Sequence, residues 1–275
     1  MLVTSTGSRR LRALLITVAG AASVAGCRGG AEPLPARTAP PTAVADAGTR
    51  LADDVLVRRI APGVWLHVTW GRSDGVLYSS NGMLVETGDG TLLVDTAWDD
   101  RQTGLLLRWA AEALGRPVRE AVVTHSHTDR TGGLGALAAA GVRASGLGAT
   151  AALVHAASGR VIDTVPGLDT AAVAIAPGVE AYYPGHGHAP DNIVVYVARQ
   201  RVLFGGCLVK DAEATTLGNI ADADLVHWPE AVHDVAARFP EAATVVPGHG
   251  SIGGRNALDA SERLLRRLGS AGGSP

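Results

Sequence analysis

AVVTHSHTDRTGG, residues 121–133, begins as a short apolar, β-branched run and ends in a polar turn closed by two glycines. The run from Ala121 to Thr124 is of the kind that fills a buried strand. Directly behind it, His125, His127 and Asp129 place three strong metal ligands at every second position. In an extended segment residues i and i+2 point to the same side, so two imidazoles and a carboxylate can converge at a strand end. A His-x-His pair alone is equally compatible with a polar loop after a core strand, so the decision rests on the remainder of the chain.

Three more candidate ligands share that setting: His188 in YYPGHGHAPDN, Cys207 in FGGCLVKD and His249 in VVPGHG. Each follows an apolar strand and sits among glycines, which permit the tight backbone that presents a side chain at a rim. One such residue is usually a core His or Cys; six at the same kind of place describe a metal rim. Imidazole, thiolate and carboxylate together suit zinc, which keeps an open position for water.

The chain has 275 residues, 47% of them hydrophobic and 18% charged, with a formal net charge of -2. This composition excludes a disordered or nucleic-acid-coating protein, and no basic patch stands out. Lys210 is the only lysine among 24 basic residues. Where arginine serves everywhere else, a retained lysine points to a task for a compact ammonium rather than a planar fork.

The N-terminus carries Arg9, Arg10 and Arg12, an apolar run from Leu14 to Ala25, then Gly26 and Cys27. A basic start, a short apolar core and small residues make an export signal over residues 1–26, too short to span a bilayer. Its end, VAGC, resembles a bacterial lipobox, which implies diacylation of Cys27 and a membrane anchor in the periplasm or cell envelope. Residues 27–53, rich in Ala, Pro, Thr and Gly, read as a flexible tether. The two cysteines differ in context, and no disulfide between them is expected.

Residues 54–268 read as one domain. Apolar runs at Val55–Ile60, Val64–Thr69, Met83–Thr87 and Thr91–Thr96 predict an antiparallel meander. Between two of them, Trp70 to Tyr78 reads either as an apolar flap over a groove or as an ordinary exposed hairpin. Asp99 and Asp100 can cap a helix over 101–114, and helices are expected near 134–140 and 149–157. The second half alternates again: strands at 171–175, 179–183, 193–198, 202–206 and 243–246, helices at 229–238 and 256–268. Two halves with strands first and helices behind predict an α/β sandwich of two sheets with helices outside. The tail GSAGGSP, residues 269–275, reads as disordered.

Taken together, these residues resemble the di-zinc metallo-β-lactamases, over roughly Val55 to Leu268. The resemblance implies an αββα fold and two Zn2+ per chain. It implies that His125, His127 and His188 hold the first zinc and Asp129, Cys207 and His249 the second. Glyoxalase-like and lactonase-like members of the wider superfamily usually carry a His after the Asp and a bridging Asp; here Arg130 and a cysteine stand instead. The implied function is hydrolysis of the β-lactam amide in penicillins, cephalosporins and carbapenems, conferring resistance, with zinc lowering the pKa of a water to about 7.

Lys210, three residues after Cys207, matches the family position that pairs with the substrate carboxylate. Asn219 in TLGNIADAD matches a residue thought to help hold the carbonyl oxygen, and reads equally as a turn former after Gly218. Ala189 stands where the family often has Thr or Ser. His186 reads as a solvated loop residue, and His67, His155, His227 and His233 as surface or core residues. Asp95 reads either as a strand-end cap or as a group orienting the metal loop. The expected partners are small β-lactams and, through Cys27, a membrane; no nucleic acid is expected, and the protein is expected to be monomeric. Two rival readings remain at this point: a zinc hydrolase of another ester or amide, and a non-catalytic zinc-binding lipoprotein.

Overall fold

In the computed structural model, which describes residues 48–271 apart from 74 and 89, the chain forms thirteen strands and six helices among the described residues. The first half runs β1 (Thr49–Ala52), β2 (Val55–Ala61), β3 (Val64–Ser73), β4 (Val76–Thr87), β5 (Gly90–Val94), α1 (Asp100–Glu112), β6 (Val118–Val122), α2 (Thr128–Thr131), α3 (Leu134–Ala139), β7 (Arg143–Gly146), α4 (Gly148–Ser158) and β8 (Asp163–Thr164). The second half runs β9 (Val173–Ala176), β10 (Val179–Tyr182), β11 (Val194–Val197), β12 (Val202–Gly206), α5 (Trp228–Arg238), β13 (Thr244–Pro247) and α6 (Asn256–Ala271).

Strands β1 to β8 form one sheet in sequence order, antiparallel as far as β5 and parallel from β5 to β8. The second sheet is ordered β13-β12-β11-β10-β9, with only β12 and β13 parallel. Period-2 alternation builds the layers. In β4, Met83 and Val85 face the second sheet, packing with Val195, Val202, Phe204 and Val246, whereas Leu84 packs with Leu106 and Ala110 of α1. On the far side of the second sheet, Leu203 and Val245 pack against Trp228 and Val232 of α5 and Leu258 and Leu265 of α6. The fold is the expected αββα sandwich.

The meander, the capped α1 and the strand–helix alternation of the second half stand where the sequence places them. Asp99 caps α1, accepting from Gln102 N–H at 2.7 Å. Four features differ. The sheet begins at Thr49, inside the stretch read as tether, because TRLA pairs with β2 as its outer strand. The last helix runs past Leu268 to Ala271. β7 and β8 are too short and too polar to give an apolar run. Trp70 to Tyr78 is the exposed hairpin that the sequence allows, but the strands reach further into it than the apolar runs do, β3 and β4 staying paired up to Ser73 opposite Val76. The signal segment, Cys27, most of the tether and residues 272–275 lie outside the described residues. Among the described residues no helix is long and apolar enough to cross a membrane.

One cross-strand pair shows how tightly the first sheet is built. His67 on β3 lies opposite Gly82 on β4, fully buried, and a Cβ on Gly82 would collide with its ring. The imidazole Nε2 lies 3.2 Å from the Asp95 carbonyl, and Nδ1 has no partner. Burial holds the His67 pKa down at about 4, against an ordinary 6.5. The folded state therefore binds fewer protons at this site than the unfolded chain. Stability is complete above pH 6.5 and falls as the pH drops towards 4, by on the order of 1–3 kcal/mol. Urea titrations across that window should show the loss, and His67→Gln should flatten it. Gly82→Ala should cost at least about 1–3 kcal/mol by overpacking, read as a lower urea midpoint at unchanged slope.

Candidate metal centre

The parallel strands β6, β12 and β13 end on one edge of the sandwich, and the ligand candidates sit just beyond those ends. Thr124, His125, Cys207 and His249 all lie within three residues of a strand terminus. His188 comes from the loop between β10 and β11. Backbone hydrogen bonds tie these loops together, across the sheets from Ile193 N–H to Thr124 O at 2.8 Å and from Asn81 N–H to Gly248 O at 2.9 Å, and within the second sheet from Gly248 N–H to Gly206 O at 2.7 Å. The amide of Asn81 adds bonds to the carbonyls of Pro247 and Gly250, at 2.9 and 3.0 Å.

Only part of the 125–129 stretch is extended. His127 has φ -65 and ψ 153, and Thr128–Thr131 then turn as one helical turn, so strand alternation does not place Asp129. The turn swings the carboxylate beneath the two imidazoles, and convergence is achieved by the strand-to-helix corner instead.

Six ligand candidates converge there. The rings of His125, His127 and His188 surround one point, with centroids 4.6, 5.0 and 5.1 Å apart and near-perpendicular planes. His127 Nδ1 and His188 Nε2 are 3.3 Å apart. Beside them, His249 Nε2 lies 3.2 Å from Asp129 Oδ2 and 3.3 Å from Cys207 Sγ, and the latter pair is 3.8 Å apart. Donor atoms around a tetrahedral zinc stand about 3.3–3.7 Å from one another, so these separations fit. His125 is fully buried with neither ring nitrogen hydrogen-bonded. A buried polar group without a partner costs about 1–3 kcal/mol, and a bound cation relieves it. The donor set and these orphaned nitrogens fit zinc.

Neighbours of the ligands fix which nitrogen faces the metal. His249 Nδ1 lies 2.5 Å from the Ser79 carbonyl and must donate to it, which leaves Nε2 as the ligand atom. His127 Nε2 lies 2.9 Å from the Asp222 carboxylate, which leaves Nδ1. His186 is half-exposed in its loop, and its Nε2 lies 2.8 Å from the Asp222 carbonyl. Asn192 Oδ1 accepts from Gly187 and Ala189 N–H, at 3.2 and 2.9 Å, and so grips His188 from both sides although Ala189 brings no hydroxyl.

Arg130, read from sequence only as the residue that is not His, lies fully buried under the second triad. Its Nη2 is 2.9 Å from each of Asp129 Oδ2, Cys207 Sγ and the Gly248 carbonyl. Burial alone would raise the Cys207 pKa, but Arg130, then His249 and His125, hold it well below the usual thiol range. Burial likewise opposes ionisation of Asp129, and the same guanidinium wins, lowering its pKa to about 2. The result is a thiolate and a carboxylate that are ready ligands at neutral pH. Asp95, at φ 62, takes the loop-orienting role: its oxygens accept from Thr124 N–H and Oγ1 at 2.7 and 2.8 Å, fixing the residue before His125. Burial raises its pKa to about 6, against the pull of Arg130.

Lys210 lies at this rim with its Nζ 5.0 Å from the Trp228 ring centroid. Asn219 is exposed, and its Oδ1 accepts from Ala221 N–H at 3.0 Å, so the oxygen serves its own turn. Trp70 is half-buried at the base of the β3–β4 hairpin, where Gln102 bonds its carbonyl at 2.8 Å. Tyr78 is exposed on the hairpin with Val76 and Leu77.

A family model described as the metallo-beta-lactamase superfamily matches residues 75–249. The chain is 34% identical over 230 residues to the type 2 metallo-beta-lactamase of Bacteroides fragilis, covering 83% of this chain and 92% of that protein. It is 35% identical over 216 residues to that of Bacillus sp. (strain 170), covering 77% and 82%. Among solved structures, the metallo-beta-lactamase FIM-1 of Pseudomonas aeruginosa, in its mono-zinc form, superposes with a TM-score of 0.75 at 36% identity, over 80% of this chain and 99% of that one. The chain belongs to the metallo-beta-lactamase superfamily. Its enzyme class is that of these relatives, metallo-β-lactamase.

Asp222 supports a ligand without being one, and it is exposed. Asp222→Ala should lower zinc affinity about 10- to 100-fold, measured by competition with a chromophoric chelator, with the metal-free protein's urea midpoint unchanged.

Proposed function

We propose that this enzyme hydrolyses the β-lactam amide of penicillins, cephalosporins and carbapenems with two zinc ions, and so confers resistance to them. The observation that carries the reading is the cluster of three imidazoles, His125, His127 and His188, beside the group of Asp129, Cys207 and His249, with Lys210 at the same rim. His125, His127 and His188 would hold one ion and Asp129, Cys207 and His249 the other. When bound, zinc supplies Lewis acidity and water of lowered pKa, with no need for a nucleophilic serine.

The chain's own residues supply binding and orientation. Lys210 offers its ammonium to the carboxylate that these antibiotics share; it makes no internal ion pair among the described residues. The Asn219 amide, its oxygen spent on its own turn, has N–H groups to offer the lactam carbonyl oxygen. Asp222 and Ser79 keep the tautomers of His127 and His249 fixed while charge develops. The exposed apolar side chains of the β3–β4 hairpin, Val76 and Tyr78 on one face and Leu77 on the other, offer apolar surface to the lactam's substituents, with Trp70 half-buried at its base.

In the cell we place the enzyme in the envelope: exported by residues 1–26, lipidated at Cys27 and held as a monomer on the tether that follows. VAGC and the apolar run before it support this. Palmitate labelling that is abolished by Cys27→Ala would test it.

Lys210→Ala should raise KM for carboxylate-bearing β-lactams at least about tenfold while kcat changes less. An unchanged KM would remove Lys210 from the binding site. A folded, zinc-loaded protein that turns over no β-lactam would move the reading to another ester or amide.

A further inference from the structure

Trp228 opens α5 and is fully buried, yet it touches three parts of the metal rim. Its Nε1–H donates to the Leu208 carbonyl at 2.7 Å, one residue beyond Cys207. The His188 imidazole tilts against the indole at 60°, with centroids 5.5 Å apart. Gly187 leaves room for this approach, since a Cβ there would lie 3.0 Å from the indole. Over the ring face stands Lys210 Nζ, 5.0 Å from the centroid.

The lysine's backbone is fixed separately. Its N–H donates to the buried Ser261 hydroxyl on α6 at 2.8 Å. What remains to be held is the flexible four-carbon stem and its ammonium. A carboxylate partner would hold the ammonium but cancel its charge, and a substrate would have to displace that partner. The negative face of an indole holds a cation without neutralising it. A guanidinium would instead tend to lie flat on the ring, its planar fork stacked rather than turned towards the rim. This gives a physical reason for the single lysine of an otherwise arginine-only chain.

The geometry points to Trp228 as a positioning residue for substrate: its ring face sets where the Lys210 ammonium meets the substrate carboxylate and leaves that charge available. The inference rests on the reading of Lys210 as the carboxylate-binding group. It predicts that substrate affinity follows the electron density of the ring at position 228, independently of fold stability.

Because Lys210 is the sole lysine, 13C-labelled lysine in the zinc-loaded protein reports on this side chain alone. Its ε-methylene protons should lie upfield of the ordinary lysine position through the ring current, and return to it in Trp228→Leu. An ordinary position in the unaltered protein overturns the inference. Mono-, di- and trifluorinated tryptophan placed at 228 keep the shape of the ring while draining its face. KM for a carboxylate-bearing cephalosporin should rise stepwise to about tenfold across that series, with kcat within about twofold and Tm unchanged. The fluorinated series keeps the test open even if Trp228→Leu fails to fold. A flat series, with Lys210→Ala still raising KM, overturns the role of Trp228 alone. If Lys210→Ala leaves KM unchanged although the unaltered protein shows the upfield signal, the carboxylate reading fails and this inference falls with it.

Discussion

The buried guanidinium of Arg130 is the constraint on which the site depends. It has no exposure to water, so its charge must be answered by protein, and the answer comes from both halves of the fold. Asp129 and Asp95 belong to the first sheet's loops, Cys207 and the Gly248 carbonyl to the second's, and the Asn81 carbonyl accepts from Nη1 at 2.5 Å. Leaving such a charge without its partners costs about 3–5 kcal/mol. Closing the sandwich at this edge therefore also sets the Cys207 thiol and the Asp129 carboxyl against a cation that favours their ionised forms. A dication then finds anions already formed and held apart by a fixed cation.

The two-sheet architecture explains why six candidate ligands from distant points of the chain meet. The apolar inner faces bring the two sheets together, and the ends of β6, β12 and β13 come to lie on one edge. Cross-sheet bonds such as Ile193 to Thr124 stop the loops leaving those ends from drifting. Burial is graded across the centre. His125 and His188 are enclosed, whereas the side chains of His127 and His249 retain 23% and 39% of their exposure, so the site opens to solvent on their side. A second ring of groups, including Asp222, Ser79, Asn192 and Asp95, fixes tautomer and backbone without touching the metal position.

Much of this was legible in residue order because ligand identity and strand ends are local properties. His125, His127 and Asp129 stand within five residues, and His188, Cys207 and His249 each announce themselves by glycine-flanked strand ends. The supporting groups are not local. Arg130 draws meaning from residues 81, 95, 207 and 248, and Asp222 from a histidine ninety-five residues away. Strand alternation also misled at Asp129, since a single turn of helix is too short to leave a period in sequence. Likewise β7 owes its conformation to pairing with β6, and β8 to pairing with β7, rather than to any apolar run. The hairpin beyond Trp70 is legible, but glycine and polar residues conceal how far its ladder continues.

The central claim is that the two triads bind zinc and that this zinc performs β-lactam hydrolysis. It is tested most directly by measuring carbapenem turnover, with zinc content determined alongside, in the purified domain lacking residues 1–27. The measurement is made as prepared, after EDTA, and after zinc is returned. The account predicts two zinc ions per chain, turnover that vanishes with the chelator and turnover that returns with the metal. Turnover that survives complete removal of zinc, or a folded protein carrying two zinc ions that hydrolyses no β-lactam, would contradict it.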